Sequence, residues 1–292
     1  MADERKAMRQ FDPRVTPARA DLAARELYGK VAAPHYAEGN VYEVIAPQTP
    51  LRGEPRPDAL LATEALRGDR VTVYDINAEG WAWGQLAADG YVGWLATSAL
   101  APAGQQPTHK VTALRTLVFP GPSIKLPPLE ALPFGARLVI CETKDQMAIT
   151  PARGYVPAVH LAPVAYDETD FVAVAERFAG APYLWGGKTV LGIDCSGLVQ
   201  VALAACGVAS PRDSDMQEEA LGAPVEIAAA LASPQRGDLI FWEGHVAVVR
   251  DQTSLIHASA FHMAVAIEPI VEAVGRIRAG GTEISRMRRL AA

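Results

Sequence analysis

Cysteine is scarce in this chain, with only Cys141, Cys195 and Cys206 among 292 residues. The number is odd and no two stand in a CxxC pair, which argues against a disulfide framework and a zinc knuckle. Long apolar runs are missing as well. No stretch of about eighteen apolar residues occurs, so nothing reads as a membrane-spanning helix. The opening, MADERKAMRQFDPRV, lacks the apolar centre of a signal peptide and starts with an initiator-like Met1. The expectation is a cytoplasmic protein with reduced thiols. Strong charge of either sign is also absent. A net charge of −6 argues against a general nucleic-acid or anionic-membrane binder.

Glycine (24) and proline (22) are abundant, which suits short strands joined by many turns. Half the residues are apolar, enough for two or three domains with cores of their own. Residues 1–35 read as a charged N-terminal extension with a helical stretch near ARADLAARELYG. A repeat follows. EALRGDRVTVYDINAEGWAWGQLAADGYVGWLATSALAP has a counterpart in EALPFGARLVICETKDQMAITPARGYVPAVHLAPV. Both carry Glu-Ala-Leu, a glycine, a β-branched run, Gly-Tyr-Val and Leu-Ala-Pro. Such short strands between turns read as two small all-β barrels at 36–102 and 108–165, joined by APAGQQPTH.

From residue 166 to 292 the pattern changes to α+β. DETDFVAVAERFAG, CSGLVQVALAACG and EIAAALASP read as helices. GDLIFW, HVAVVR and SLIHASA read as strands, the first two joined by a tight Glu243-Gly244 turn. Cys195 opens its helix. Free N–H groups there favour a thiolate, whereas cysteine elsewhere is most often a small buried residue. Cys206 and Cys141 fit the buried case. Gly186 and Gly187 let the backbone approach closely, as a substrate groove requires. A nucleophile needs a base, and the base needs an orienting group. If Val248 faces Ile256, then His245 and His257 share one face of a hairpin and fill those roles. His35, His109, His160 and His262 have no such company and read as surface or structural residues.

PYLWGG, DCSGLVQ, PRDSDMQ, RGDLIFW, GHVAVV and HAS occur in the order seen in NlpC-type cysteine peptidases, which 166–292 resembles. The resemblance implies a papain-like fold with Cys195 as nucleophile, His245 as base and His257 orienting it, and no metal or cofactor. With two bacterial SH3-like barrels in front, the chain is similar to the γ-D-glutamyl-L-diamino acid endopeptidases of murein-peptide recycling. That similarity implies a murein peptide as partner, its free N-terminal L-alanine held by Tyr183, Asp194 and Ser196. It also implies a tyrosine and a glutamate from the first barrel, matched by Tyr91 and by Glu54, with Glu64 as the alternative. The competing expectations are an exported hydrolase or amidase on the same fold, and a non-catalytic module that binds wall fragments.

Overall fold

The computed structural model describes residues 11–290 in two compact units, one up to Val164 and one from Ala165. The first unit is mostly strands. Seven of them form an antiparallel sheet in the spatial order Leu61–Leu66, Gln48–Arg52, Val92–Ala96, Trp81–Leu86, Arg70–Ile76, Asn40–Val44, Leu100–Pro102. Val44, Leu51, Val71, Ala82, Leu86 and Leu95 fill its core. The repeat has a structural counterpart at both ends. Val92–Ala96, a 3-10 turn and Leu100–Pro102 are echoed by Tyr155–Pro157, a 3-10 turn and Leu161–Pro163.

The helix expected near 18–29 is absent. Leu22–Ala24 is a strand beside His35–Ala37, followed by one 3-10 turn at Arg25–Leu27. Tertiary partners override the alanine-rich propensity there. Ala23, Ala24 and Leu27 are buried against Tyr36 and Tyr74. The Arg19 guanidinium lies over the rings of Trp83 and Trp94 and pairs with Asp21 and Asp75.

The second unit combines helices with a six-stranded antiparallel sheet. Its helices are α1 (Phe171–Arg177), α2 (Cys195–Ala205), α3 (Ser214–Ala220), α4 (Ile227–Ala232) and α5 (Ile270–Ala279). The strands are β1 (Ala223–Val225), β2 (Leu239–Trp242), β3 (His245–Val249), β4 (Ser254–Ser259), β5 (Ala264–Pro269) and β6 (Arg286–Arg289). Their order across the sheet is β1-β6-β2-β3-β4-β5. The β2–β3 turn is closed by Trp242 opposite His245, with Gly244 at φ +73° as a tight hairpin demands. Ile240, Trp242, Ala247, Val249 and Leu255 pack with Ala273 and Val274 of α5. Helix α2 is apolar nearly all round and is buried along almost its whole length, as a domain-centre helix should be. Among the described residues, no helix is long and apolar enough to cross a membrane.

Candidate active site

Cys195 is the first residue of α2, and Asp194 caps the helix by accepting the Gly197 N–H at 2.7 Å. The glycines around it serve packing. A Cβ on Gly197 would lie 2.4 Å from the Gly187 carbonyl, and one on Gly187 would lie 2.3 Å from the Gly192 carbonyl. The paired glycines thus seat the helix start on the preceding hairpin, a different use of close approach from the expected groove. Cys195 is 6% exposed. Burial first, and then the Asp194 charge, push its thiol up to about 11, against the pull of the Val246 and Ser196 N–H groups on the sulfur. The expected thiolate preference is therefore outweighed by desolvation in this structure.

Val246 follows His245 on β3, so the strand that carries the candidate base borders the sulfur. Val248 does face Ile256, the expected register. It brings His245 Nε2 to 2.8 Å from His257 Nδ1. The Trp242 ring lies beside the His245 ring at 5.6 Å. His257 Nε2 in turn is 2.8 Å from Glu268 Oε1 on β5. Arg276 of α5 donates to both oxygens of Glu268 at 2.6 Å, and His262 Nε2 lies 3.3 Å from Oε1. His262, expected to stand apart, thus belongs to this cluster.

Burial and the neighbouring His257 push the His245 pKa down to about 3. Burial pushes His257 down to about 4, against the opposing pull of Glu268. Burial tends to raise Glu268, but the Arg276 and His257 contacts overcome it and hold the carboxyl at about 2. These shifts set the sign of an acid effect on stability. An unfolded histidine binds its proton below about 6.5, whereas folded His257 stays neutral down to about 4. The unfolded state therefore binds more protons between those values, and stability falls as pH falls. His257 alone is expected to remove about 3 kcal/mol between neutral pH and pH 4. Denaturant midpoints across that range check this, and a flat profile rules it out.

Beneath Cys195 lies a second buried network. Arg212, only 1% exposed, donates to Asp194 Oδ1 at 2.9 Å and Oδ2 at 2.8 Å, and to Ser196 Oγ at 2.9 Å. Gly186 N–H adds a bond to Asp194 Oδ2 at 2.7 Å. Gln217 Nε2 donates to the Ser196 carbonyl at 2.9 Å and to the Pro211 carbonyl at 3.0 Å. Asp194 and Ser196 are thus held by protein partners, and the Asp194 charge is offset by Arg212. Tyr183 is half-buried. Burial and then the nearby Cys195 and Asp194 push its hydroxyl up to about 12, which places it beside the nucleophile. In the first unit, Tyr91 lies in the sheet core, and Glu64 is buried and accepts from Gln48 at 3.1 Å. Glu54 is exposed and pairs with Arg56 at 2.9 Å. Of the other thiols, Cys206 is half-buried, and Cys141 is exposed rather than packed inside a strand.

Residues 180–276 match the NlpC/P60 family, and 51–100 match the bacterial dipeptidyl-peptidase Sh3 domain. The chain carries an NlpC/P60 domain behind an SH3 domain. It is homologous to γ-D-glutamyl-L-lysine dipeptidyl-peptidases. One from Bacillus cereus is 28% identical over 246 residues, covering 72% of this chain and 71% of that protein. Dipeptidyl-peptidase 6 from Lysinibacillus sphaericus is 43% identical over 88 residues, which covers 30% of this chain and 31% of that protein. The fold is shared with a crystal structure of an NlpC/P60 family protein from Bacillus cereus. Its TM-score is 0.72 at 22% identity, with 87% of this chain and all of that chain covered.

NlpC/P60 is a cysteine peptidase family, and the thiol and the histidine pair all lie within the matched residues. Four polar residues of this NlpC/P60 domain were not singled out in the sequence: Arg212, Gln217, Glu268 and Arg276. Arg212 and Gln217 stand in PRDSDMQ, where a cation just before a short helix and an amide within it were the available signal. Glu268 and Arg276 lie on β5 and α5, two elements that sequence reasoning did not recognise.

Proposed function

We propose that this chain is a cysteine endopeptidase that cuts the γ-D-glutamyl–L-diamino acid bond of murein peptides. The papain-like domain follows two SH3-like barrels in this reading, and the substrate carries a free N-terminal L-alanine. The observation that carries it is the 2.8 Å His245–His257 contact on a strand bordering a buried thiol at a helix start. The bond type is taken from the Bacillus cereus relative, a γ-D-glutamyl-L-lysine dipeptidyl-peptidase.

The Cys195 sulfur attacks the γ-carbonyl carbon while its proton passes to His245. With the thiol pushed up and the imidazole pushed down, proton transfer accompanies the attack, as general-base catalysis requires. The oxyanion is received by the free N–H at the start of α2. His245 then protonates the leaving amine, and a thioester to Cys195 remains. Water that gives its proton to His245 hydrolyses that thioester and restores the thiol. His257 holds the His245 ring throughout. Incubation with L-Ala-γ-D-Glu-diaminopimelate should release L-Ala-γ-D-Glu and free diamino acid, identified by mass spectrometry. Cleavage at another amide supports an amidase of the same fold, and binding without cleavage supports a wall-fragment module.

The free amine gives a selectivity prediction. N-acetylation removes a charge and donors that the pocket would otherwise satisfy, at a cost of roughly 2–3 kcal/mol. The acetylated tripeptide should then show kcat/KM lower by about 10²-fold. In this reading Tyr183 faces the amine together with Asp194 and Ser196. Asp194→Asn is a poor probe, because it strands the buried Arg212, whereas Tyr183→Phe removes one hydroxyl only. Equal rates on the two substrates would favour an exported wall hydrolase, since intact wall carries an acylated alanine. A strict preference for the free amine fits a cytoplasmic enzyme acting on released stem peptides.

A further inference from the structure

We propose that Glu268, held by Arg276, is a positioning residue that fixes the tautomers of the histidine pair. His257 is then protonated at Nε2, and His245 presents a bare Nδ1 to the nucleophile.

The geometry leaves little freedom. Glu268 Oε1 is 2.8 Å from His257 Nε2, 3.3 Å from His262 Nε2 and 2.6 Å from one Arg276 nitrogen. Its Oε2 is 2.6 Å from the other Arg276 nitrogen. An ionised carboxylate accepts and cannot donate, so every ring nitrogen bonded to it must carry its proton there. The guanidinium keeps the carboxylate ionised, and Arg276 is itself stacked over the Phe261 ring at 4.3 Å. With its proton on Nε2, neutral His257 has only a lone pair on Nδ1. His245 Nε2, 2.8 Å away, must therefore donate to it. Neutral His245 then has one proton, on Nε2, and its Nδ1 is an acceptor. A base that takes a proton from a thiol needs that acceptor.

The same chain of bonds also favours the charged intermediate. When His245 accepts the thiol proton, its Nε2–H still donates to His257, whose dipole is anchored on a carboxylate. The titratable and charged groups facing Glu268 are His257 from β4, His262 from the following turn and Arg276 from α5, with Glu272 acting on Arg276.

A metal site is the rival use of these residues. Ligand atoms of His257, His262 and Glu268 lie within 4.8 Å of one another. However, both carboxylate oxygens already face a cation, and a metal ion would have to displace Arg276 against its charge. The tautomer role needs no such rearrangement.

This inference rests on the nucleophile–base reading above, yet its first test does not use activity. Nitrogen-15 labelled histidine in the full chain, near neutral pH, reports which ring nitrogen carries the proton. His257 is expected to show a protonated Nε2 and a bare Nδ1. A proton on His257 Nδ1, or a mixture of tautomers, overturns the proposal without any variant having to fold. The second test is Glu268→Gln, whose amide can offer His257 either a donor or an acceptor. The tautomers should then mix, and kcat should fall by about tenfold or more while KM barely moves. Glu268→Asp, which keeps the charge, should recover most of the rate and the single tautomer. A folded Glu268→Gln with unchanged kcat, or with only KM raised, overturns the positioning role. Full activity in Cys195→Ala would instead sink the nucleophile assignment and leave the His257 spectrum as it is.

Discussion

Cys195→Ala should lower kcat on L-Ala-γ-D-Glu-diaminopimelate by about 10⁴–10⁶-fold while the protein stays folded. Nucleophile, base and orienting group act as a unit, so losing the atom that forms the bond removes nearly all their joint effect. The structural cost is small by comparison. The substitution deletes one sulfur from a buried helix start, and the Asp194 cap that seats α2 is untouched. A matched control is Cys206→Ala, at the C-terminal end of the same helix and half-buried. It should keep turnover. Steady-state rates and melting temperatures of both variants check this. Activity above a few per cent in Cys195→Ala would remove the residue from the mechanism.

His257→Ala should cost roughly 10²–10⁴-fold in kcat, with a smaller effect on KM. The argument is geometric. His257 is 1% exposed and touches His245 on one side and Glu268 on the other. Its loss frees the His245 ring and takes one donor from Glu268, which keeps those of Arg276. Part of the effect will appear as lower stability, since an emptied polar site leaves a cavity and a His245 ring nitrogen without its partner. His257→Gln separates the two contributions. Its amide can accept from His245 and donate to Glu268, so it should recover more rate than alanine. If KM alone rises in His257→Ala, the residue belongs to the substrate pocket and does not orient the base.

Much of the second unit was legible because local signals agreed with tertiary ones. Asp194 before Cys195 marked a helix start, and Glu243-Gly244 fixed the hairpin that pairs Trp242 with His245. That hairpin and the alternation of the next strand set the register that joins the two histidines. The rest depended on partners distant in sequence. Strand β6 holds three arginines in four residues, and nothing local suggests a strand there. Arg288 is satisfied by the Glu218 carbonyl at 2.7 Å and Arg289 by Asp238 at 2.6 Å. Glu268 reads as an ordinary acid before a proline until β5 places it across from β4. The alanine-rich segment near residue 22 went the other way, since pairing and aromatic packing drew it into a strand.

The three glycines at 187, 192 and 197 have a consequence for mutational tolerance and for redesign. Each occupies a position where the first atom of any side chain would overlap a neighbour, at 2.3, 2.5 and 2.4 Å respectively. The front of the nucleophile helix therefore rests against a stop with no slack. Insertions or larger residues along that line would lift the helix off the hairpin and carry the sulfur away from the His245 strand. A library seeking new acyl specificity should leave this stop intact. Its diversity belongs instead at exposed Trp185 and Leu191, which are not among the atoms that crowd these glycines, whereas Leu184 packs against Gly192.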